Sequence, residues 1–100
     1  MPNNLISENN RKLVVESLID GATITTADAV ANIEVRAKSH GLGFCATTIS
    51  SNTNSVQILA PPFTWSSWSV IDSHVGKVSK TYSVSWDCDT GSLAEIRYYK

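Results

Sequence analysis

Charged residues are scarce in this sequence of 100 residues, and neither sign dominates. They make up 17% of the chain, whereas about 25% is typical of globular proteins. A hydrophobic content of 42% excludes a disordered chain, which needs low hydrophobicity and a high net charge. The formal net charge of −1 and the pI near 6.0 exclude the strongly basic surface of proteins that bind DNA or RNA mainly by neutralising phosphates.

Targeting and membrane-spanning patterns are also missing. Met1–Glu8 has neither the basic nor the apolar stretch of a signal peptide, and no run approaches the ~18 apolar residues of a membrane span. The two cysteines, Cys45 and Cys88, lie in no CxxC motif, which predicts free thiols in a reducing compartment, with a Cys45–Cys88 disulfide across a sheet as the alternative. We therefore expect a cytoplasmic protein without membrane contact.

Signatures of catalysis, cofactor binding and metal binding are absent too. The only histidines, His40 and His74, belong to no HxH or HExxH motif, and no glycine-rich loop could cradle a phosphate. A Cys45 nucleophile with a histidine base is the enzymatic alternative. The sequence predicts no enzyme, no cofactor and no metal site.

A chain of this length is predicted to form one domain that spans residues 1–100. Its first 40 residues contain sequence patterns that are typical of helix ends. Ser7 can cap a helix that Gly21 ends, which predicts a helix over about 8–20. Thr25 and Asp28 have the spacing of a capping box, which predicts a second helix over about 26–39. The alternative for the second segment is a strand, because residues 33–38 also alternate between apolar and polar.

The remainder, residues 43–99, is rich in β-branched and aromatic residues, with turn residues between the runs. The strands are predicted at 44–49, 56–60, 65–71, 78–86 and 93–99, and residues 72–74 are predicted as a turn. The last two strands are predicted to form a hairpin with Tyr82 opposite Ile96 and a left-handed Gly91 in its loop. The predicted fold is therefore α+β, with two N-terminal helices packed on one face of a mostly antiparallel sheet of four to five strands.

A segment without any Asp, Glu, Lys or Arg runs from Ser39 to Ile71. Its strands are either central and covered by the helices, or in contact with a partner, since interface cores are depleted in charge and rich in aromatic residues. Phe63, Trp65 and Trp68 follow the Pro61-Pro62 bend, where a loop could present them. Because Trp65 and Trp68 are three residues apart, a straight strand would place them on opposite faces. These three aromatic residues are the predicted partner-binding site.

Three short stretches resemble known families without placing the chain in any of them. Trp65–Ser69 matches the WSxWS motif of cytokine-receptor fibronectin-type domains, which are all-β and carry it near the domain end, whereas here it lies mid-chain behind predicted helices. Gly41–Phe44 resembles the carboxylate-binding loop of PDZ domains, but a late helix to wall the groove is missing. Leu18–Ala31 resembles the opening of helix-turn-helix domains.

Two functions follow from these patterns. The first is a small non-enzymatic intracellular module, of bacterial or phage origin, that binds another protein. It would act as an inhibitor or assembly factor through the uncharged aromatic surface, and a homodimer is also consistent with this surface. The alternative is a helix-turn-helix nucleic-acid-binding regulator that uses residues 8–40 and turns Arg36, Lys38 and His40 towards DNA. Nucleic acid is the less favoured partner because so few basic side chains are available.

Overall fold

The computed structural model describes residues 12–27 and 31–100, and all regular secondary structure in these ranges is β-strand. The strands, in chain order, are β1 (Leu13–Ser17), β2 (Thr23–Thr25), β3 (Ala31–Ser39), β4 (Cys45–Ser50), β5 (Ser55–Ala60), β6 (Ser69–His74), β7 (Ser79–Thr81), β8 (Ser83–Asp87) and β9 (Ser92–Tyr99). The described residues contain no helix that could cross a membrane.

The strands form three antiparallel sheets. The largest has the order β1-β9-β3-β6, the second has the order β5-β4-β8, and β2 pairs with β7. Inward-facing side chains of the two larger sheets share one core, in which Ile33, Val35, Ile49 and Ile96 are fully buried. This is the arrangement of a β-sandwich, in which each strand alternates between the core and the outer face.

The two predicted helices are wrong, and with them the α+β fold class. Residues 12–20 hold β1, and residues 31–39 are the strand β3, while residues 8–11 and 28–30 lie outside the described ranges. In β3, Ile33, Val35 and Ala37 are buried, whereas Glu34, Arg36 and Lys38 are half-buried. The alternation over residues 33–38, noted as the alternative to a helix, is confirmed, because pairing on both edges outweighs the local capping signals.

The strands predicted at 44–49 and 56–60 are confirmed. β4 and β5 pair from Cys45 opposite Ala60 to Ser50 opposite Ser55, and the turn between them is closed by a hydrogen bond from the Ser51 N–H to the Asn54 carbonyl (2.7 Å). The next strand is displaced from its prediction. β6 starts only at Ser69 and includes residues 72–74, which were expected to form a turn.

The predicted hairpin of the last two strands is wrong. β8 pairs with β4, whereas β9 lies between β1 and β3, where Ile96 faces Glu16 on one side and Val35 on the other. The connection over residues 88–91 therefore crosses from one sheet to the other. An apolar alternation shows which face of a strand is buried, but it leaves the pairing partner open.

Gly91 is left-handed as expected, with φ of +80°, although it lies in this crossover and not in a hairpin. A Cβ at this position would lie 3.0 Å from Cε2 of the Trp86 indole, whereas Gly21, with φ of +82°, has nothing within 4 Å. The two glycines thus share a backbone conformation and differ in the space around them.

We expect Gly91→Ala to destabilise the protein more than Gly21→Ala. Both substitutions place a side chain in the left-handed region, at roughly 1–2 kcal/mol each. Gly91→Ala must also displace the Trp86 indole, which adds roughly 1–3 kcal/mol of overpacking. Urea unfolding of the two variants measures the difference, and equal losses would show that the indole does not constrain this crossover.

The expectation of free thiols is also wrong. Cys45, at the start of β4, and Cys88, directly after β8, form a disulfide with an S–S distance of 2.05 Å and a Cα–Cα distance of 5.4 Å. Neither cysteine is left as a thiol. The cysteine-nucleophile hypothesis required a thiolate at Cys45, and it loses its chemical basis here.

Candidate functional site

The connection between β5 and β6, residues 61–68, is part of the uncharged segment and runs along the edge of β3. Ser39 donates its N–H to the Pro61 carbonyl and Ser66 donates its N–H to the Ala37 carbonyl, each over 2.9 Å. The Ala37 N–H in turn donates to Oγ of Ser66 (3.0 Å). This segment, which precedes β6, therefore covers the part of the β3 edge that β6 does not reach. A covered edge cannot pair with another chain, so no charged residue is needed to prevent such pairing.

The two tryptophans of this segment lie against cations on the outer face of the four-stranded sheet. The Trp65 ring centroid is 4.7 Å from the Arg36 guanidinium carbon and 4.9 Å from Nζ of Lys38. The Trp68 centroid is 4.5 Å from the same carbon of Arg36 and 4.4 Å from that of Arg97. We call this row of five side chains the cation–indole ladder.

Ion pairs hold the arginines of the ladder in place. Nε of Arg36 donates to Oε1 of Glu95 over 2.8 Å, and Nε of Arg97 donates to Oε1 of Glu34 over 2.7 Å. Each pair joins residues that face each other across β3 and β9. With cation–π contacts of about 0.5–1 kcal/mol each at such sites, the ladder stabilises the outer face of the sheet.

The sequence-predicted site residues therefore separate into two groups. Trp65 and Trp68 are half-buried and contact the same arginine. The strand predicted from residue 65 starts only at Ser69, so the opposite faces that a straight strand would give do not arise, and both indoles lie over one sheet face. Phe63 belongs to no part of the ladder. Its side chain is 76% exposed, and its φ of +65° makes it the one described non-glycine residue with a positive φ.

Phe63 lies at an end of the sandwich where other large apolar side chains are exposed. The β3–β4 and β5–β6 connections leave the sheets at this end, as the bridge between Ser39 and Pro62 shows. The exposed fractions are 83% for Leu42, 62% for Phe44, 64% for Leu59 and 76% for Phe63. We call these four residues the apolar tip, and all of them come from the uncharged segment. The sequence signal for Leu42, Phe44 and Leu59 was this lack of charge, although none of them was singled out.

A buried carboxylate, that of Asp72, forms a second cluster that sequence reasoning missed. β6 bulges where Ile33 faces Asp72 and Glu34 faces Val70, so that Ile71 and Asp72 both point inwards. Four side chains donate to its oxygens: Ser51 (3.4 Å), Thr53 (3.3 Å) and Asn54 (2.6 Å) to Oδ1, and Tyr82 (2.9 Å) to Oδ2. The carboxylate thereby ties the β4–β5 turn to the core.

The donors decide the charge state of this carboxyl. Burial alone raises the pKa of Asp72, but the hydrogen bonds from Asn54 and Tyr82 and the nearby charge of Lys80 outweigh burial and hold the pKa below its ordinary value of 3.8. Burial and the hydrogen bond to the same carboxylate raise the pKa of the Tyr82 hydroxyl. At neutral pH the cluster is therefore an ionised carboxylate with a neutral phenol.

His74 lies at the other end of this cluster. Its Nε2 is 3.0 Å from Oγ1 of Thr26, and its buried Nδ1 has no hydrogen-bond partner among the described residues. Protonation would place an unpaired N–H at Nδ1. Burial therefore lowers the pKa of His74 below 6.5, against the opposing effect of the Asp72 charge.

This cluster has acid, imidazole and ammonium groups but offers no reactive atom to a substrate. Both oxygens of Asp72 are occupied by donors, and the open nitrogen of His74 is sealed from solvent. In the described part of the chain, no group of three His, Cys, Asp or Glu residues is placed to hold a metal ion. The contacts of this cluster therefore stabilise the fold.

No family model, no curated protein and no solved structure matches this chain. The WSxWS match at residues 65–69 therefore assigns no family, even though the helices that argued against it are absent. The chemistry of the described surfaces is the basis for a function.

Proposed function

We propose that this chain is a non-catalytic binding module that captures another protein through the apolar tip. The observation that carries the proposal is the exposure of Leu42, Phe44, Leu59 and Phe63 at one end of the sandwich. Exposed apolar side chains concentrated at one end of a domain are typical of interaction sites on soluble proteins. With no charged side chain in the segment that supplies the tip, the matching surface on the partner is apolar as well.

The backbone at Phe63 supports this role. A φ of +65° costs a side-chain-bearing residue roughly 1–2 kcal/mol, and such outliers cluster at binding sites, where the local strain serves function. Glycine would relieve the strain. The chain instead places an aromatic side chain there and points it into solvent.

The ladder gives the tip a firm support. Trp65 and Trp68 anchor the segment that follows Phe63 to Arg36 and Arg97, so their proposed part in partner binding is to position Phe63. Side chains held in place before binding lose less conformational freedom on association.

The disulfide indicates the kind of compartment in which such a module works. Disulfides persist in secreted proteins, in the periplasm and on virion or cell surfaces, and are rare in reducing compartments. The cytoplasmic expectation depended in part on free thiols, and the Cys45–Cys88 disulfide removes that part. We propose an oxidising location, with the partner exposed in the same place.

The helix-turn-helix alternative does not fit the described strands. It needs helices within residues 8–40, where the described residues form strands and the connections between them. Its intended DNA contacts are also engaged, because Arg36 pairs with Glu95 and contacts both indoles, and Lys38 lies over Trp65.

The test is a substitution that separates binding from stability. We expect Phe63→Gly to raise the free energy of unfolding by roughly 1 kcal/mol, because glycine adopts a positive φ without strain, and at the same time to abolish partner capture. Leu42→Ser should also abolish capture without a change in stability. Urea unfolding and affinity capture with mass spectrometry measure the two effects.

The matched control is Val75→Ser, which removes an equally exposed apolar side chain from outside the tip and should leave capture unchanged. Captured proteins that remain bound to the tip variants would overturn the proposal. So would capture that falls steeply between about 50 and 200 mM salt, which is the behaviour of nucleic-acid binding. A dimer that Phe63→Gly dissociates would identify a second copy as the occupant and overturn the assignment to another protein.

A further inference from the structure

A groove lies beside β8, which is one edge strand of the three-stranded sheet. The other edge strand is β5, which carries Leu59. It has a volume of about 460 Å³ and is lined by residues of β8, the start of β9 and the connection after β1. Its apolar walls include Leu18, Ile19, Val84, Trp86 and Leu93. Ile19 is 69% exposed and Trp86 is 50% exposed, so that the walls are open to solvent.

The outer edge of β8 beside this groove is only partly paired, and among the described residues its Trp86 backbone has no partner on that side. The Val84 N–H donates to Oδ1 of Asp20 (2.9 Å), so the backbone of Val84 points away from β4. Tyr82 points the same way, since it exchanges hydrogen bonds with Gly21 and Ala22. By the two-residue alternation of a strand, the N–H and C=O of Trp86 also face this edge. Among the described residues, no strand pairs with β8 there.

The charges around the groove determine which occupant fits. Asp20 is the only charged residue in its lining, and Asp87 follows Trp86 on β8. Pairing of β8 with β8 of a second copy would bring these carboxylates of the two copies together, and like charges at such a contact oppose association. A lysine or arginine on an added strand would instead be attracted to Asp20.

We propose that the β8 edge and this groove form a strand-addition site for an extended segment of another protein that carries alternating apolar residues and a lysine or arginine beside Asp20. The backbone of Trp86 supplies the main-chain hydrogen bonds, and the groove takes the apolar side chains, as in other recognition by an added strand. This site is independent of the apolar tip, because none of the tip residues lines it.

The experiment uses two synthetic peptides on the whole chain. Both have alternating valine and threonine, and they differ only in one residue near the end, which is lysine in one peptide and glutamate in the other. At about 1 mM peptide, a concentration that detects weak binding, the lysine peptide should shift the backbone amide signal of Trp86 in NMR spectra. The glutamate peptide should bind roughly tenfold more weakly or not at all.

Two variants locate the contact. Asp20→Asn retains an oxygen to accept from the Val84 N–H and should abolish the preference for lysine over glutamate. Ile19→Lys places a cation at the exposed wall of the groove and should abolish binding of the lysine peptide. The control Val75→Lys changes an exposed residue that does not line the groove and should leave binding unchanged.

The proposal is overturned if the lysine peptide leaves the Trp86 signal unmoved, if both peptides bind wild type equally, or if Ile19→Lys binds as well as wild type. It is also overturned if light scattering shows a dimer that Ile19→Lys dissociates, since the occupant would then be a second copy. Loss of the proposed function at the tip would leave all of these outcomes unchanged.

Discussion

Asp72→Ala is expected to lower the free energy of unfolding by about 3 kcal/mol, because the substitution leaves buried donors without their acceptor. The Tyr82 hydroxyl, which belongs to a fully buried residue, has Oδ2 of Asp72 as its partner. Asn54, the donor with the shortest hydrogen bond to Asp72, would lose its link to β6. Urea unfolding followed by tryptophan fluorescence measures the loss.

Tyr82→Phe is the matched variant, since it removes one donor and keeps the carboxylate and its other partners. Its expected cost is about 1–2 kcal/mol. A loss in Asp72→Ala no larger than that in Tyr82→Phe would contradict the view that Asp72 organises the whole cluster.

The same cluster predicts how stability depends on pH. The pKa of Asp72 is lower in the folded protein than its ordinary value, so its contribution is complete above the unfolded pKa of about 3.9 and is lost as the pH falls through the folded pKa. The pKa of His74 is also lowered, so its contribution is complete above about pH 6.5 and is lost as the pH falls below that value. Stability should therefore fall in two steps on acidification.

Each step has its own control. His74→Gln should remove the step that begins near pH 6.5, and Asp72→Asn should remove the step below about pH 4. Unfolding free energies measured across this pH range would contradict the assignment if both variants kept the profile of the wild type.

Removal of the disulfide is expected to lower the free energy of unfolding by an amount similar to that for Asp72→Ala. Cys45 and Cys88 are 43 residues apart in sequence, and closing a loop of that length restricts the unfolded chain by an amount worth roughly 4 kcal/mol. The double variant Cys45→Ala/Cys88→Ala should lose about that much stability in urea unfolding. Its four-stranded sheet contains neither cysteine, so the variant should keep its β-sheet circular dichroism below the transition.

Reduction of the wild-type protein provides the control for altered packing, because it breaks the bond without removing sulfur. Reduced wild type and the double variant should unfold at similar urea concentrations, and the reductant should not affect the variant. A double variant as stable as the oxidised wild type would refute the cross-link as a source of stability.

Local signals predicted some elements of the fold correctly. The β4–β5 pair was predictable because its turn, residues 51–54, consists of residues that favour turns and its strands are adjacent in sequence. The helix predicted over about 26–39 is wrong at β3, although the alternation from Ile33 to Lys38 is typical of a strand. β1 could not be recognised, because Leu13, Val15 and most of its other residues are exposed, and an edge strand with little burial has no clear apolar alternation.

Non-local contacts decided the rest. The partner of β8 is β4, about 35 residues earlier, and no property of residues 83–87 specifies that choice. Asp72 became a core residue through a bulge in β6. Of the predicted site, Phe63 could be placed at an exposed bend from the Pro61-Pro62 pair, but the contacts of Trp65 and Trp68 depend on arginines in β3 and β9.

The position of β9 has a consequence for biosynthesis. β9 lies between β1 and β3, yet the ribosome synthesises both of those neighbours before it. Until residues 92–99 leave the exit tunnel, the nascent chain holds two strands whose inner edges have no partner, and such edges are prone to pair with other chains. Folding of this sheet must therefore wait for the last strand, so a chaperone that shields β1 and β3 during translation should raise the yield of native protein.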